Sequence, residues 1–236
     1  MIQIENYTLN VGEFTLRDVT MDIEDGEIFA ILGQTGSGKT VLLESMAGFY
    51  EKFTGRILHD GKPVHAIPLQ ERRLGFVYQD FGLFPHMKVK ANIEYGLKMQ
   101  GMKRRQCSET AHNMMKMLGI DHLADRYPGT LSGGEQQRTA LARALVVNPR
   151  ILFMDEPFSA LDPNTKKQMY DLVREIHRMF GCTIVFVTHD FHEAETLADR
   201  TAVIIKGSVR RICDSKRLFA ENDDRDVMDF LGISAS

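Results

Sequence analysis

The octapeptide GQTGSGKT, residues 33–40, constrains the fold more than any other stretch of the chain. It fits the pattern G-x-x-x-x-G-K-[ST] and sits in the context that pattern requires. Before it runs IFAIL, a continuous apolar segment that reads as a strand buried on both faces. After it, Val41, Leu42, Met46 and Phe49 recur at helical spacing. A strand, a glycine-rich loop and a helix in that order make an anion cradle. Gly36 and Gly38 can take conformations closed to other residues, so the backbone wraps closely around phosphate oxygens. Successive N–H groups and the helix N-terminus favour negative charge there. Lys39 reaches the outer phosphates, and the Thr40 hydroxyl suits Mg²⁺. Gly33, Gln34, Thr35, Gly36, Ser37, Gly38, Lys39 and Thr40 are therefore the candidate nucleotide-binding residues.

Three later runs, RILFMD, CTIVFVTH and TAVIIKG, repeat the look of a buried strand. Helical stretches separate them, including NTKKQMYDLVREIHRMFG, which Gly181 is expected to stop. Strands alternating with helices imply an α/β fold with a mostly parallel sheet. The first 30 residues alternate in the manner of strands, IQIENYTLNV and EFTLRDVTMDI leading into the apolar run, and the expectation is an N-terminal antiparallel β subdomain. From Pro85 to Val147 the patterning is helical, including ANIEYGLKMQG and CSETAHNMMKMLGI. The expected organisation is one domain over 1–236: an α/β core at about 1–84 and 148–213, an inserted helical subdomain at about 85–147, and a short helical tail at 214–236. Met114, Met115 and Met117 are expected to fill a core or an interface.

Asp155 and Glu156 emerge at the end of the apolar run ILFM, where open α/β sheets bind ligands. Asp155 is the candidate Mg²⁺ ligand, because that hard cation takes carboxylate and water oxygens. Glu156 is the candidate general base for an attacking water. Alone, such a pair also suits a solvated turn; beside a phosphate loop the functional reading gains. His189 ends another buried run and is either structural or placed to contact a terminal phosphate. LSGGEQQR, residues 131–138, reads locally as a cap before the helical TALARALVV.

Taken in order, GQTGSGKT, FVYQD, LSGGEQQR, ILFMDEP, SALD and VTHD closely resemble the ATP-binding cassette (ABC) ATPase subunit of a membrane transporter, over nearly the whole chain. The resemblance implies a P-loop NTPase core of RecA-like type that binds ATP and Mg²⁺. It implies Gln79 as the loop glutamine touching Mg²⁺ or water, residues 159–162 as the D-loop, and His189 as the switch histidine. It also implies that two copies stack head to tail, each ATP lying between the phosphate loop of one and Ser132, Gly133 and Gly134 of the other. One departure concerns the aromatic residue that the family stacks on adenine. Val11 occupies its neighbourhood, and Tyr7, Phe14 or neither takes the role. Gln34 replaces the proline commonest at its position.

The remaining features narrow the class. The formal charge of −3 gives no reason to expect a nucleic-acid partner. The three cysteines form no Cys-x-x-Cys pair, which suits a reducing compartment. No apolar run is long enough to span a bilayer, and no secretory leader is expected at the start. By resemblance a separate permease supplies the pathway, contacted through the apolar stretch at 81–86 (Phe81, Leu83, Phe84, Pro85, His86), which by its residues alone suits internal packing equally and can serve both, with a solute-binding protein acting indirectly. The chain would then sit peripherally on the cytoplasmic face of the membrane. Val41 and Glu44 resemble the molybdate/tungstate import group; sulfate, polyamine and sugar importers, and a soluble non-transport cassette, are the alternatives. No regulatory domain is expected after the tail.

Overall fold

The computed structural model describes residues 1–220 and 224–233. Its internal contacts divide the chain into two units, Met1–Pro68 with Cys182–Ser236, and Leu69–Gly181. In the first unit, β1 (Ile2–Val11) and β2 (Phe14–Ile23) pair antiparallel, each with one face turned inward. β3 (Ile28–Leu32) is buried at every position, as its apolar run requires. The helix α1 (Lys39–Ala47) follows the glycine-rich loop and stops at Gly48, which is left-handed. Phe49 therefore falls beyond the helix and is exposed, not part of its apolar face. β4 (Thr54–His59) and β5 (Lys62–Pro63) complete an antiparallel sheet of order β2-β1-β4-β5.

In the second unit, β6 (Leu74–Val77) and β7 (Ile151–Asp155) run parallel, with Leu74 opposite Ile151 and Val77 opposite Met154. Between them lie α2 (Val89–Met99), α3 (Arg104–Met117) and α4 (Gly133–Leu145). The inserted region between Pro85 and Val147 is helical, with no strand among its described residues. Cys107, Ala111, Met114 and Met115 share the buried face of α3. Met117, three residues after Met114, falls off the edge of that face and is exposed, so it is no core filler within this chain. α5 (Pro163–Phe180) starts on Asp162, whose carboxylate accepts hydrogen bonds from the backbone N–H groups of Asn164 and Thr165. It ends on left-handed Gly181, as its sequence requires.

The chain then returns to the first unit through β8 (Thr183–Thr188), α6 (Phe191–Leu197), β9 (Arg200–Ile205), β10 (Ser208–Asp214) and α7 (Arg225–Leu231). β3 lies between β8 and β9, parallel to both, and β10 adds an antiparallel edge. The expected helical tail contains α7 and a short turn at Ser215–Arg217. Its residues 221–223 and 234–236 lie outside the described residues.

The β9–β10 hairpin turns on Gly207, and this turn braces the glycine-rich loop. The Gly207 N–H donates to the Ser37 carbonyl at 3.1 Å, and its own carbonyl accepts from Arg17 N–H at 2.8 Å. Its φ is +83°, and a Cβ there would stand 2.1 Å from the Thr15 carbonyl oxygen. Backbone cannot yield as a side-chain tip can. Gly207→Ala is expected to cost about 2–4 kcal/mol, combining left-handed strain with a backbone collision. Urea denaturation of the two proteins checks it, and a midpoint equal to wild type would refute the bracing role.

Candidate functional site

The phosphate loop is held by its own lysine. Lys39 is only 5% exposed, and its ammonium donates to the carbonyls of Gly33 at 3.0 Å and Gln34 at 3.1 Å. The Ser37 N–H donates to the Gln34 carbonyl, and the Gly33 N–H to that of Thr188 at the end of β8. Gly38 has φ +100°, and a Cβ on it would lie 2.4 Å from the Phe14 ring. Phe14 is thus committed to packing against the loop. Tyr7 is buried in the core with its ring 5.1 Å from that of Phe53. As the side chains stand, Tyr7 presents no face to a nucleobase.

Two observations fit this loop to phosphate. The Ser37 hydroxyl oxygen is buried with no hydrogen-bond partner among the described residues, a cost that a bound oxyanion would remove. Thr40, by contrast, is exposed at the first turn of α1. A cleft of about 320 Å³ opens along the loop, lined by Gln34, Thr35, Gly36 and Ser37 and, from the far side, Lys206 and Phe230. Phe230 belongs to α7 and stands 5.2 Å from Phe191, two residues after His189. The sequence offered no sign that the tail reaches this loop.

His189 is exposed just past the end of β8. The backbone around it is fixed. The Thr188 hydroxyl donates to the Glu193 carboxylate and accepts from the Asp190 N–H, and the Asp190 carboxylate accepts from the His192 N–H. The strand end is thus tied by side-chain hydrogen bonds on either side of the exposed imidazole.

The second unit carries the carboxylates. Asp155 closes β7 and is buried, while Glu156 follows half-buried with φ +41°. Positive φ at a residue other than glycine is strained, and such strain concentrates where geometry serves function. The Glu156 carbonyl accepts from the Ser159 N–H at 3.2 Å and hydroxyl at 2.9 Å, which holds the turn. An open cleft of about 510 Å³ brings Gln79 and Asp155 to one surface, with Tyr78, Asp80 and Ala160. Gln79 and Asp155 bring a carboxamide carbonyl and a carboxylate, both hard oxygen donors, to that surface. Mg²⁺ takes one or two carboxylates with waters and substrate phosphates, so these donors are of the kind that suits it.

The segment after Gln79 packs at its start and opens toward its end. Phe81 has φ +63° and is buried; Leu83 and Phe84 are half-exposed, and Pro85 and His86 exposed. Two residues that the sequence reading passed over hold this segment. The Arg143 guanidinium, on α4, donates to the carbonyls of Phe81 at 3.0 Å and Gly82 at 2.7 Å and lies over the Phe84 ring. Burial lowers the pKa of Arg143 from its usual value. The Asn92 side chain, fully buried, accepts from the Phe84 N–H and donates to the carbonyls of Phe84 and Met87. Nothing in the local pattern marks either one; a polar side chain is informative here only once its burial is known.

LSGGEQQR is the helix cap its residues promise. The Ser132 hydroxyl accepts from the Glu135 N–H, and the Glu135 carboxylate accepts from the Ser132 N–H at 2.7 Å and hydroxyl at 2.9 Å. Those donors hold the Glu135 carboxyl below its usual pKa range. Ser132 and Gly133 remain exposed and Gly134 half-buried, so the first turn of α4 is capped and still open to a ligand.

A phosphate loop between a buried strand and a helix, carboxylates at parallel strand ends and an inserted helical region define a P-loop nucleoside triphosphatase of the cassette type. Comparison with known proteins agrees. The profile described as ABC transporter matches residues 16–159. A molybdate/tungstate import ATP-binding protein of Pyrococcus horikoshii is 42% identical, over 99% of this chain and 68% of its own length. A sulfate/thiosulfate import ATP-binding protein of Agrobacterium fabrum is 41% identical, over 98% and 69%. Among solved structures, cbiO1 from Clostridium perfringens, part of the ABC transporter complex cbiONQ, superposes with TM-score 0.84 at 31% identity, covering 93% of this chain and 90% of that one. A dimeric cassette in a post-hydrolysis state with ADP and phosphate bound superposes with TM-score 0.81 at 30% identity, covering 91% and 99%. The chain belongs to the ABC transporter family, among its ATP-hydrolysing cassettes. No helix among the described residues is long and apolar enough to cross a membrane.

Proposed function

We propose that this chain is the ATP-hydrolysing subunit of an importer for a tetrahedral oxyanion, molybdate or tungstate, and works as a head-to-tail pair of copies on a separate permease. The observation that carries the nucleotide reading is the phosphate loop, with its partnerless Ser37 hydroxyl and its folded-back Lys39. Loop N–H groups, Ser37 and Lys39 bind the phosphates. Thr40, Asp155 and Gln79 would hold Mg²⁺, which would supply charge neutralisation at the phosphate oxygens. Glu156 accepts the proton of a water whose oxygen attacks the γ-phosphorus; the bond to the β-phosphate oxygen breaks, leaving ADP and phosphate. His189 contacts the γ-phosphate from the end of β8. Ser132, Gly133 and Gly134 of the second copy complete the site, so closure requires ATP and hydrolysis releases it.

The permease contact falls on the segment 82–86, and a solute-binding protein acts through the permease. This arrangement places the chain peripherally on the cytoplasmic face of the membrane. The cargo assignment rests on three molybdate/tungstate import relatives at 40–43% identity. Sulfate/thiosulfate relatives reach 41% and keep the oxyanion class, while a spermidine/putrescine relative at 39% is the competing chemistry. The test uses the chain with its permease in lipid vesicles and the cognate binding protein outside. Molybdate or tungstate is expected to raise ATP turnover severalfold, sulfate less, and spermidine not at all. Stimulation by spermidine alone would overturn the cargo assignment.

A further inference from the structure

One buried side chain in the second unit has no role in the resting structure. Gln137 on α4 is 0% exposed, and neither its carbonyl oxygen nor its amide nitrogen has a hydrogen-bond partner among the described residues. An unmet carboxamide is costly inside a protein, and an apolar side chain of the same shape would serve this packing better. The group calls for partners in some other state of the molecule.

Its neighbours say where those partners lie. At the start of α4, a Cβ on Gly133 would stand 3.9 Å from the Leu161 side chain, and one on Gly134 3.1 Å from Thr165. Toward the other end, the Ala144 carbonyl and Cβ lie 3.0 and 3.3 Å from the place of a Cβ on Gly75, which pairs with Leu152 across β6 and β7. α4 therefore runs antiparallel to both strands. Seven helical residues back from Ala144 is about 10 Å. Three strand residues on from Gly75 and Leu152 is also about 10 Å. Gln137 is thus level with the strand ends that carry Gln79, Asp155 and Glu156. It is one turn along the same helix face from Gly133, which meets Leu161.

We propose that Gln137 is a positioning residue, whose carboxamide takes hydrogen-bond partners from the backbone of the 156–161 loop when ATP is bound and so sets the Glu156 carboxylate for proton transfer. In the resting structure that loop satisfies itself, through Ser159 bonding to the Glu156 carbonyl and the Leu161 N–H bonding to the Phe158 carbonyl. The strained φ of Glu156 marks the point at which a second arrangement of the loop is accessible. The same helix carries Ser132 to Gly134 at its first turn, so a nucleotide met there is reported to the base through one rigid element.

The proposal rests on Glu156 being the base, and the experiment separates the two. Gln137→Met keeps the volume and removes the carboxamide; Gln137→Asn keeps the carboxamide one methylene short. For Gln137→Met, kcat is expected to fall about tenfold with the KM for ATP within about twofold, while the Tm stays level or rises by a few degrees. Gln137→Asn is expected to recover part of the rate. Wild-type kcat in Gln137→Met overturns the proposal. So does a lower Tm, which would mean that the carboxamide is satisfied at rest. Glu156→Gln is measured beside them. Loss of turnover there with wild-type turnover in Gln137→Met sinks the Gln137 role alone; full turnover in Glu156→Gln sinks both.

Discussion

Glu156→Gln is expected to lower steady-state ATP turnover by about 10²–10⁴-fold, the range a general base contributes, or roughly 3–5 kcal/mol of barrier. The substitution is nearly isosteric. The backbone strain at φ +41° and the Ser159 bonds to the Glu156 carbonyl belong to the main chain and survive it. What disappears is a basic oxygen and a negative charge beside the nucleotide. Removing the charge lessens repulsion of the terminal phosphate, so the ATP-bound pair should accumulate. Phosphate release measures the first effect and the ATP-dependent shift to twice the mass on a sizing column the second. Turnover within tenfold of wild type would place the base elsewhere, and the strained geometry of Glu156 would need another account.

The parts of this molecule that were legible in its sequence are those whose cause is local. IFAIL, ILFMD and TIVFVT are buried at every position, and no other environment suits such runs. Gly181 marks the end of α5 because capping chemistry acts within a few residues. The cap at Ser132 and Glu135 was equally plain. The edge strand β10 was not, because SVRRICD lies half-exposed on both faces and shows no alternation. Gly207 looks like any hairpin glycine until Thr15 and Ser37 are seen against it. Phe81 shows the same limit from the other direction. Its apolar neighbours suited internal packing and a partner surface alike, and only the left-handed turn that buries it, with Arg143 closing over its carbonyl, separates Phe81 from the exposed residues after it. Arg143, Asn92 and Gln137 take their meaning from burial, which spacing along a helix does not reveal by itself.

Gly133→Asp sets stability and activity against each other. Gly133 is the first residue of α4, exposed, with room for a side chain: a Cβ would meet only Leu161 at 3.9 Å, an ordinary contact. Replacing glycine in a helix gains about 0.5–1 kcal/mol, and a carboxylate in the first turn gains about 0.3–1 kcal/mol from the helix dipole, less some repulsion from Glu135. The folded chain should therefore be as stable as wild type or slightly more so. A carboxylate facing another copy's γ-phosphate should nonetheless lower turnover by about a hundredfold, while ATP binding by the single chain stays within about twofold. Mixing variants tells where the glycine acts. In a dimer of one Gly133→Asp copy and one Glu156→Gln copy, a site shared between copies leaves one of the two sites intact and the other doubly impaired. If instead each chain served its own nucleotide, both sites would be impaired. Equimolar mixing makes half the pairs mixed, so roughly a quarter of wild-type turnover should return if the sites fire independently. A mixture no faster than its two parents would remove the support for a shared site. A rate well above both would mean that LSGGEQQR, capped and complete within its own chain, does its chemistry on the ATP of another.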